Sequence, residues 1–183
     1  NYMEYLNGRQ IQGSTAQMPG IGYFTEREEE QVLRVEPLNR KQIKQASRLA
    51  WESFCETIAP GYEKQGVSAF RELIKPARLS DAVERGELQL FGCFGAEGMK
   101  GMLALQEQAH ISLLFVKTEC RGQGVGSLLL LQAEQFCRQN GTQRLTVNAA
   151  PGSEAFYSKS GFAPQEAEQE RDGMRIIPMA KTL

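Results

Sequence analysis

The stretch Val-Lys-Thr-Glu-Cys-Arg-Gly-Gln-Gly-Val-Gly-Ser, residues 116–127, decides the fold of this chain. It lies between an apolar run with the composition of a strand and an amphipathic run with the spacing of a helix. Gly122, Gly124 and Gly126 remove side chains where the loop turns into the helix, and the N–H groups of the first helical turn are left unpaired. The positive end of the helix dipole attracts anions, and Arg121 adds a cation. The stretch therefore predicts a binding site for a phosphate or pyrophosphate.

Three other interpretations compete for these glycines. A Walker loop requires a lysine directly after the glycines, and none follows here. A dinucleotide fingerprint requires a third glycine where Ser127 stands, and an acidic residue at the end of the next strand, where the chain has Asn148. The third interpretation is a glycine-rich turn that binds nothing. The glycines alone do not distinguish a phosphate site from a turn that binds nothing, so the choice between these interpretations depends on the surrounding residues.

Length and charge limit the classes of protein that this chain can represent. Its 183 residues, of which 41% are hydrophobic, predict one compact domain over residues 31–183. Residues 1–30 end in an acidic run and predict an N-terminal arm of low intrinsic order. Lys and Arg number 21 against 22 Asp and Glu, and the net charge of −1 disfavours a nucleic acid as partner.

No part of the sequence predicts a membrane span or a metal site. The longest apolar runs, residues 110–116 and 128–131, are far shorter than the roughly 20 residues that cross a bilayer. The first 13 residues do not have the pattern of a secretory signal, so we expect a cytoplasmic protein without a membrane partner. Four cysteines without a CxxC pair, together with a single histidine, predict reduced thiols and no metal. The cysteines are Cys55, Cys93, Cys120 and Cys137.

Hydrophobic spacing and breaker residues predict the order of the secondary structure. A strand, two helical stretches and three strands precede the glycine-rich loop, and a helix, a strand, a short helix and a closing pair of strands follow it. The predicted elements are a strand that ends at Pro37, helices over 38–58 and 67–85 with a break near Pro76, strands over 88–94, 99–107 and 110–116, a helix from Gly126 to Asn140, a strand over 144–149, a helix over 151–160, and two strands within 161–183 around a turn at 171–173.

The loop and the segments after it resemble the GNAT superfamily of acyl-CoA-dependent N-acyltransferases. The main motif of that superfamily, R/Q-x-x-G-x-G/A after a strand, is matched by Arg121, Gly124 and Gly126. A strand ending in Asn148 and the segment Ala-Phe-Tyr-Ser-Lys-Ser-Gly-Phe at 155–162 follow in the order found in that superfamily. The order of elements matches over 32–183 and the specific motifs over 111–162, while Thr118 departs from the proline of many members. The resemblance implies an α/β fold, with a mixed, mostly antiparallel sheet of about seven strands flanked by helices.

The resemblance also implies a site for acetyl-CoA as co-substrate, without a metal. Main-chain N–H groups of the loop would bind the pyrophosphate, and the strand before the loop would pair with the pantetheine. A bulge near residues 113–114 would separate this strand from the next one. The implied cofactor-binding residues are Phe115, Val116, Arg121, Gly122, Gln123, Gly124, Val125, Gly126, Ser127, Asn148 and Tyr157.

Catalysis by such a site requires an acid, an oxyanion donor and a base. Tyr157 stands where many members place the acid that protonates the departing thiolate, although packing against the sheet is an alternative role. The main-chain N–H of Phe115 or of its neighbour would polarise the thioester carbonyl. His110 and Glu107 are the candidates for the base.

Four further residues have weaker functional interpretations. Glu52 and Glu56 would line the acceptor pocket, although either acid alone suits a solvated helix face. Cys120 as a nucleophile would need a base that the sequence does not place, and Cys93 suits a strand core.

These observations predict an N-acetyltransferase that moves an acetyl group to a primary amine by direct transfer in a ternary complex. The sequence does not decide whether the acceptor is a small amine or a peptide amine. The resemblance to the superfamily also allows a homodimer. Two alternatives are a non-catalytic acyl-CoA-binding module without an acceptor pocket and a nucleotide-binding domain.

Overall fold

The structure is a computed structural model that describes residues 32–171 and 173–183. The predicted N-terminal arm at 1–30 lies outside these residues. In the described part of the chain, the helices are α1 (Arg40–Thr57), α2 (Lys64–Leu73), α3 (Pro76–Glu84), α4 (Val125–Gln139) and α5 (Glu154–Lys159). The strands are β1 (Arg34–Pro37), β2 (Leu88–Gly95), β3 (Gly98–Gln106), β4 (His110–Val116), β5 (Arg144–Ala149), β6 (Ala163–Pro164), β7 (Gln169–Arg171) and β8 (Met174–Thr182).

The strands form a mixed sheet in the order β1-β2-β3-β4-β5-β8-β6, with β7 paired to β8 beside this path. Every pair is antiparallel except β4 with β5, which is parallel. The predicted fold, a mixed and mostly antiparallel sheet flanked by helices, is confirmed. The described residues contain eight strands rather than about seven, because Ala163–Pro164 adds the two-residue strand β6.

The sheet is split between β4 and β5. The two strands pair only at His110 with Thr146 and at Ile111 with Val147, although both continue beyond these residues. On the other side of β4, the register against β3 shifts so that Ser112 has no partner residue. This bulge lies one residue before the predicted 113–114. A bulge bends its strand, so the bend opens the cleft in which the site lies.

Helices cover both faces of the sheet, and each face has its own hydrophobic core. The first core packs α4 against residues such as Leu103 and Leu145. The second core packs α1, α2 and α3 against residues such as Leu90 and Met102. The apolar side chains of β4 alternate between them, because Leu114 packs on the first core and Leu113 belongs to the second.

Local sequence explains where α1 begins. The Asn39 side chain accepts hydrogen bonds from the N–H groups of Lys41 at 3.0 Å and Gln42 at 3.2 Å. The Gln42 side chain accepts from the N–H of Asn39 at 2.9 Å, which completes a capping box.

In the described residues, no helix is both long and apolar enough to cross a membrane.

Candidate active site

A cavity of about 750 Å³ occupies the cleft between β4 and β5. The end of β4, the glycine-rich loop and the start of α4 form one wall, and the loop at 150–153 with α5 forms the other. Nine of the residues predicted to bind the cofactor line it: Phe115, Val116, Arg121, Gly122, Gly124, Val125, Gly126, Ser127 and Tyr157. We refer to it as the cofactor cavity.

The N-terminus of α4 presents unpaired main-chain donors to the cofactor cavity. Its N-cap, Gly124, has a left-handed backbone with φ +83° and makes no side-chain cap. The first intrahelical bond runs from the N–H of Leu128 to the carbonyl of Gly124 at 3.0 Å, so the N–H groups of residues 125–127 have no acceptor within the helix. A Cβ at Gly124 would meet no atom within 4 Å, so backbone conformation rather than crowding requires glycine there.

Close packing between α4 and α5 positions the tyrosine of the cleft. A Cβ on Gly126 would lie 3.0 Å from the ring of Phe156, so a larger residue there would require that ring to shift by a few tenths of an ångström. Phe156 and Phe162 then pack edge-on against Tyr157, with ring centroids 5.2 and 5.5 Å away. These contacts fix the direction of the Tyr157 ring.

The open edge of β4 presents main-chain groups to the cofactor cavity. The N–H of Lys117 bonds to the carbonyl of Lys100 on the β3 side at 2.9 Å. Main-chain groups alternate along a strand, so those of Val116 and Leu114 point away from β3 and into the cleft. Both residues line the cofactor cavity. From the sequence we expected the main chain of Phe115 and Val116 to make these contacts, with the N–H of Phe115 or its neighbour as the oxyanion donor. By the same alternation the main-chain groups of Phe115 face β3, so the expectation for Phe115 is wrong and its neighbour Leu114 faces the cleft.

A second cavity of about 460 Å³ lies on the other side of the cleft, against α1, α2 and the hairpin of β7 and β8. We refer to it as the acceptor cavity. The two cavities meet at Tyr157 and share Ile58, Leu114, Phe115, Ala150, Ser153 and Tyr157. A ligand in either cavity therefore reaches the same junction.

Burial changes the acidity of the Tyr157 phenol. The side chain is 6% exposed, and desolvation raises the pKa of Tyr157 well above its ordinary value of 10.0. The phenol is therefore protonated at neutral pH, and it can donate a proton to a group at the junction.

His110 lines the acceptor cavity at the start of β4. Burial lowers the pKa of His110 below its ordinary value, and the charge of Arg171 lowers it further while Glu107 opposes the shift. Nδ1 lies 2.8 Å from the hydroxyl oxygen of Thr146, which in turn donates to the carbonyl of Ala109 at 3.3 Å. The Thr146 hydroxyl has one hydrogen, so the tautomer of His110 depends on where it points: with that hydrogen on the Ala109 carbonyl, Nδ1 is the donor and Nε2 keeps its lone pair.

The other predicted site residues occupy different places. Asn148 lines the acceptor cavity rather than the cofactor cavity, and Gln123 donates to the carbonyl of Glu119 at 3.0 Å. Glu107 is exposed in the turn between β3 and β4, with φ +48°, and lines neither cavity. Glu52 is exposed and lies outside both linings.

Two other predicted residues lie near the loop. Glu56 accepts a hydrogen bond from the hydroxyl of Thr118 and lines neither cavity. Cys120 is buried in the wall of the cofactor cavity, 4.0 Å from Nζ of Lys100. Cys93 is fully buried in β2, and all four cysteines are unpaired. No group of three or more metal-ligating side chains occurs within the described residues.

The family model of the acetyltransferase (GNAT) domain matches residues 58–183. Because this match covers more than half of the chain, the protein belongs to the GNAT acetyltransferases. Its matched region contains the loop, both walls of the cofactor cavity and the junction at Tyr157.

Solved structures share the fold at low sequence identity. A GCN5-related N-acetyltransferase from Rhodopseudomonas palustris is 20% identical, with a TM-score of 0.70 over 82% of this chain and 95% of that one. The PaiA N-acetyltransferase from Thermoplasma acidophilum, solved in complex with coenzyme A, is 21% identical, with a TM-score of 0.70 over 83% and 99%. A ribosomal-protein-alanine N-acetyltransferase from Brucella melitensis is 15% identical, with a TM-score of 0.64 over 82% and 99%.

Proposed function

We propose that this protein is an acetyl-CoA-dependent N-acetyltransferase that transfers the acetyl group directly to a primary amine in a ternary complex. The observation that carries the proposal is the junction of the two cavities at a buried, protonated Tyr157. The cofactor cavity has unpaired main-chain amides that suit a pyrophosphate, and the acceptor cavity gives a second substrate access to Tyr157.

The cofactor cavity has donors that fit coenzyme A. The N–H groups of residues 124–127 bind the pyrophosphate, and Arg121 at the rim adds a positive charge. The main-chain groups of Leu114 and Val116 pair with the amides of the pantetheine, which lies in the split like an added strand. The volume of the cofactor cavity, about 750 Å³, is within the range of ordinary ligand sites.

The chemistry requires one bond to form and one to break. The N–H of Leu114 polarises the thioester carbonyl while the neutral amine attacks its carbon and a C–N bond forms. Tyr157 donates its proton to the sulfur as the C–S bond breaks, so the thiol leaves uncharged. The attacking amine passes its proton to water at the junction. His110 lies roughly 13 Å along the strand from Leu114, too far for a single bridging water, so its role as the base stays a prediction. Glu107 is the weaker candidate for this base, since it lines neither cavity.

Direct transfer is favoured over an acyl-enzyme. The two cavities share six lining residues and therefore adjoin, so substrates bound in them would meet without an intermediate carrier. Cys120 has Lys100 beside its thiol but no imidazole, because the single histidine lies at the far end of β4. The acceptor cavity also favours an enzyme over a non-catalytic acyl-CoA-binding module. A homodimer and a cytoplasmic location stay predictions.

The test of cofactor binding uses two matched glycines. Gly124→Ala and Gly141→Ala each place a methyl group in a left-handed position with open space around it, but only Gly124 lines the cofactor cavity. Both variants are expected to lose about 1 kcal/mol of stability. Calorimetric titration with CoA should show affinity lowered at least tenfold in Gly124→Ala and retained in Gly141→Ala. Equal affinity in the two variants would contradict the proposed site.

A further inference from the structure

The acceptor cavity is walled by aromatic side chains from both the helices and the sheet. Phe54 and Phe70 stack with ring centroids 4.0 Å apart, and Phe70 meets Phe115 at 5.6 Å. All three rings line the cavity. Such a wall stabilises an apolar body of aromatic size and disfavours a long hydrophilic chain, which would lose its hydration there.

In the described part of the chain, the one charged side chain that lines the acceptor cavity is Arg171 on β7, and no Asp or Glu does so. His110 on β4 lines it too, but burial lowers its pKa and favours the neutral imidazole. The guanidinium of Arg171 is held by the neutral side chain of Gln169, whose oxygen accepts from Nε at 3.1 Å and from Nη2 at 2.9 Å. Arg171 therefore presents a positive charge that attracts an anion and repels a polycation.

The positive charge lies at the end of the cavity away from the reacting groups. His110 is the first residue of β4 and pairs with Gln106, whereas Leu114 and Phe115 at the junction lie near the end of that strand. Arg171 is close enough to His110 for its charge to lower the pKa of the imidazole, while Glu107, which lies outside the cavity lining, acts on that pKa in the opposite direction. An acceptor that fills the cavity thus has its amine at Tyr157 and its other end at Arg171.

Resting on the proposed function, we infer that the acceptor is an amine with an apolar body of aromatic size and an anionic group at the opposite end, which Arg171 binds. The aromatic wall holds the body, and the anion fixes the direction in which the amine enters the junction. A polyamine fits neither feature.

The test compares two probes that differ only in the anion. Phenethylamine lacks it, and 4-(2-aminoethyl)benzoate adds a carboxylate at the end of the ring away from the amine. Each probe is titrated calorimetrically into the full chain saturated with CoA, so affinity is measured without turnover. The wild-type chain is expected to bind the carboxylate probe about fivefold to tenfold more tightly, because Arg171 is exposed and water weakens the charged contact.

Two variants of the same hairpin distinguish binding of the anion by Arg171 from a general effect of removing one positive charge. Arg171→Gln is expected to remove the preference for the carboxylate probe. Arg175→Gln removes a guanidinium that pairs with Glu168 outside the cavity lining, and it is expected to keep the wild-type preference.

Other results would overturn the inference. These are equal affinity of the wild type for the two probes, tighter binding of spermidine, no binding of either probe, or a preference that survives in Arg171→Gln. Failure of the proposed function is a separate observation: acetyl-CoA itself would not bind in the titration, or no amine in a broad panel would release CoA thiol.

Discussion

At the scale of single residues, Tyr157 is the group on which the chemistry depends. Tyr157→Phe keeps the ring that packs against Phe156 and Phe162 but removes the proton that the thiolate would take. We expect kcat to fall by about 100-fold, the lower part of the range for general acid catalysis. The rate of CoA thiol release at saturating acetyl-CoA and amine measures it. A variant that retains more than a tenth of the wild-type kcat would rule out Tyr157 as the acid.

His110 offers a clean titration because it is the only histidine in the chain. Burial lowers its pKa, so the imidazole signal in an NMR titration should have a midpoint below the ordinary 6.5. Between that midpoint and 6.5 the unfolded state binds more protons, so the free energy of unfolding should decrease as pH falls through this window and level off below it. His110→Gln should remove this component. A midpoint at or above 6.5 would be inconsistent with the buried imidazole.

The sequence could predict the positions of residues whose type is required by a particular backbone conformation. The turn from the loop into the helix was predicted because glycines remove side chains there, and in the structure Gly124 has a left-handed backbone at that turn. The side chains of Gln123 and Glu107 could not be placed, since their directions depend on the backbone around them. The choice between Phe115 and its neighbour Leu114 could not be made for the same reason: the contribution is a main-chain N–H, and the residue type carries no signal for the edge that it faces.

At the scale of elements, periodic segments were predictable and short ones were not. The apolar spacing predicted a helix over 38–58, and α1 runs from Arg40 to Thr57. The two-residue strand β6 has no alternation, and Pro164 cannot donate to a neighbouring strand, so no pattern marked it. The bulge lies at Ser112 rather than at 113–114, because its position depends on pairing with β3.

A partly buried ion pair joins α4 to β8. Nζ of Lys181 lies 2.6 Å from a carboxylate oxygen of Glu134, and their side chains are 22% and 10% exposed. Glu134→Leu leaves the ammonium unpaired, so we expect the free energy of unfolding to fall by about 2 kcal/mol in urea denaturation. Adding Lys181→Met should recover most of that loss, because the charge is removed as well. A double variant no more stable than Glu134→Leu would contradict this explanation.

The hairpin of β7 and β8 packs against α2 through a backbone contact. A Cβ on Gly66 would lie 2.5 Å from the carbonyl oxygen of Gly173, so Gly66→Ala should displace the hairpin. We expect faster hydrogen exchange at the amides of β7 and β8 and a lower melting temperature. Gly61→Ala is the matched control, since a Cβ there would meet no described atom within 4 Å. Equal exchange in the two variants would contradict the contact.

At the scale of the whole molecule, the site depends on two strands that pair briefly and then separate. α4 lies between β4 and β5 in the chain, so their parallel pairing is non-local. Sequence periodicity predicts each strand but not where the pairing ends. The cores on the two faces of the sheet hold the helices that line the cleft, with α4 on one side and α1 and α2 on the other. The resemblance supplied the expectation of a split, and the register of β3, β4 and β5 locates it.

The central claim is that the amides at the start of α4 bind the pyrophosphate of coenzyme A in the cleft between β4 and β5. A crystal structure of the full chain with acetyl-CoA tests it most directly. The account predicts pyrophosphate oxygens about 2.7–3.2 Å from the main-chain nitrogens of residues 124–127, with the thioester beside Tyr157. Acetyl-CoA bound elsewhere, with this cleft empty at saturating ligand, would contradict it.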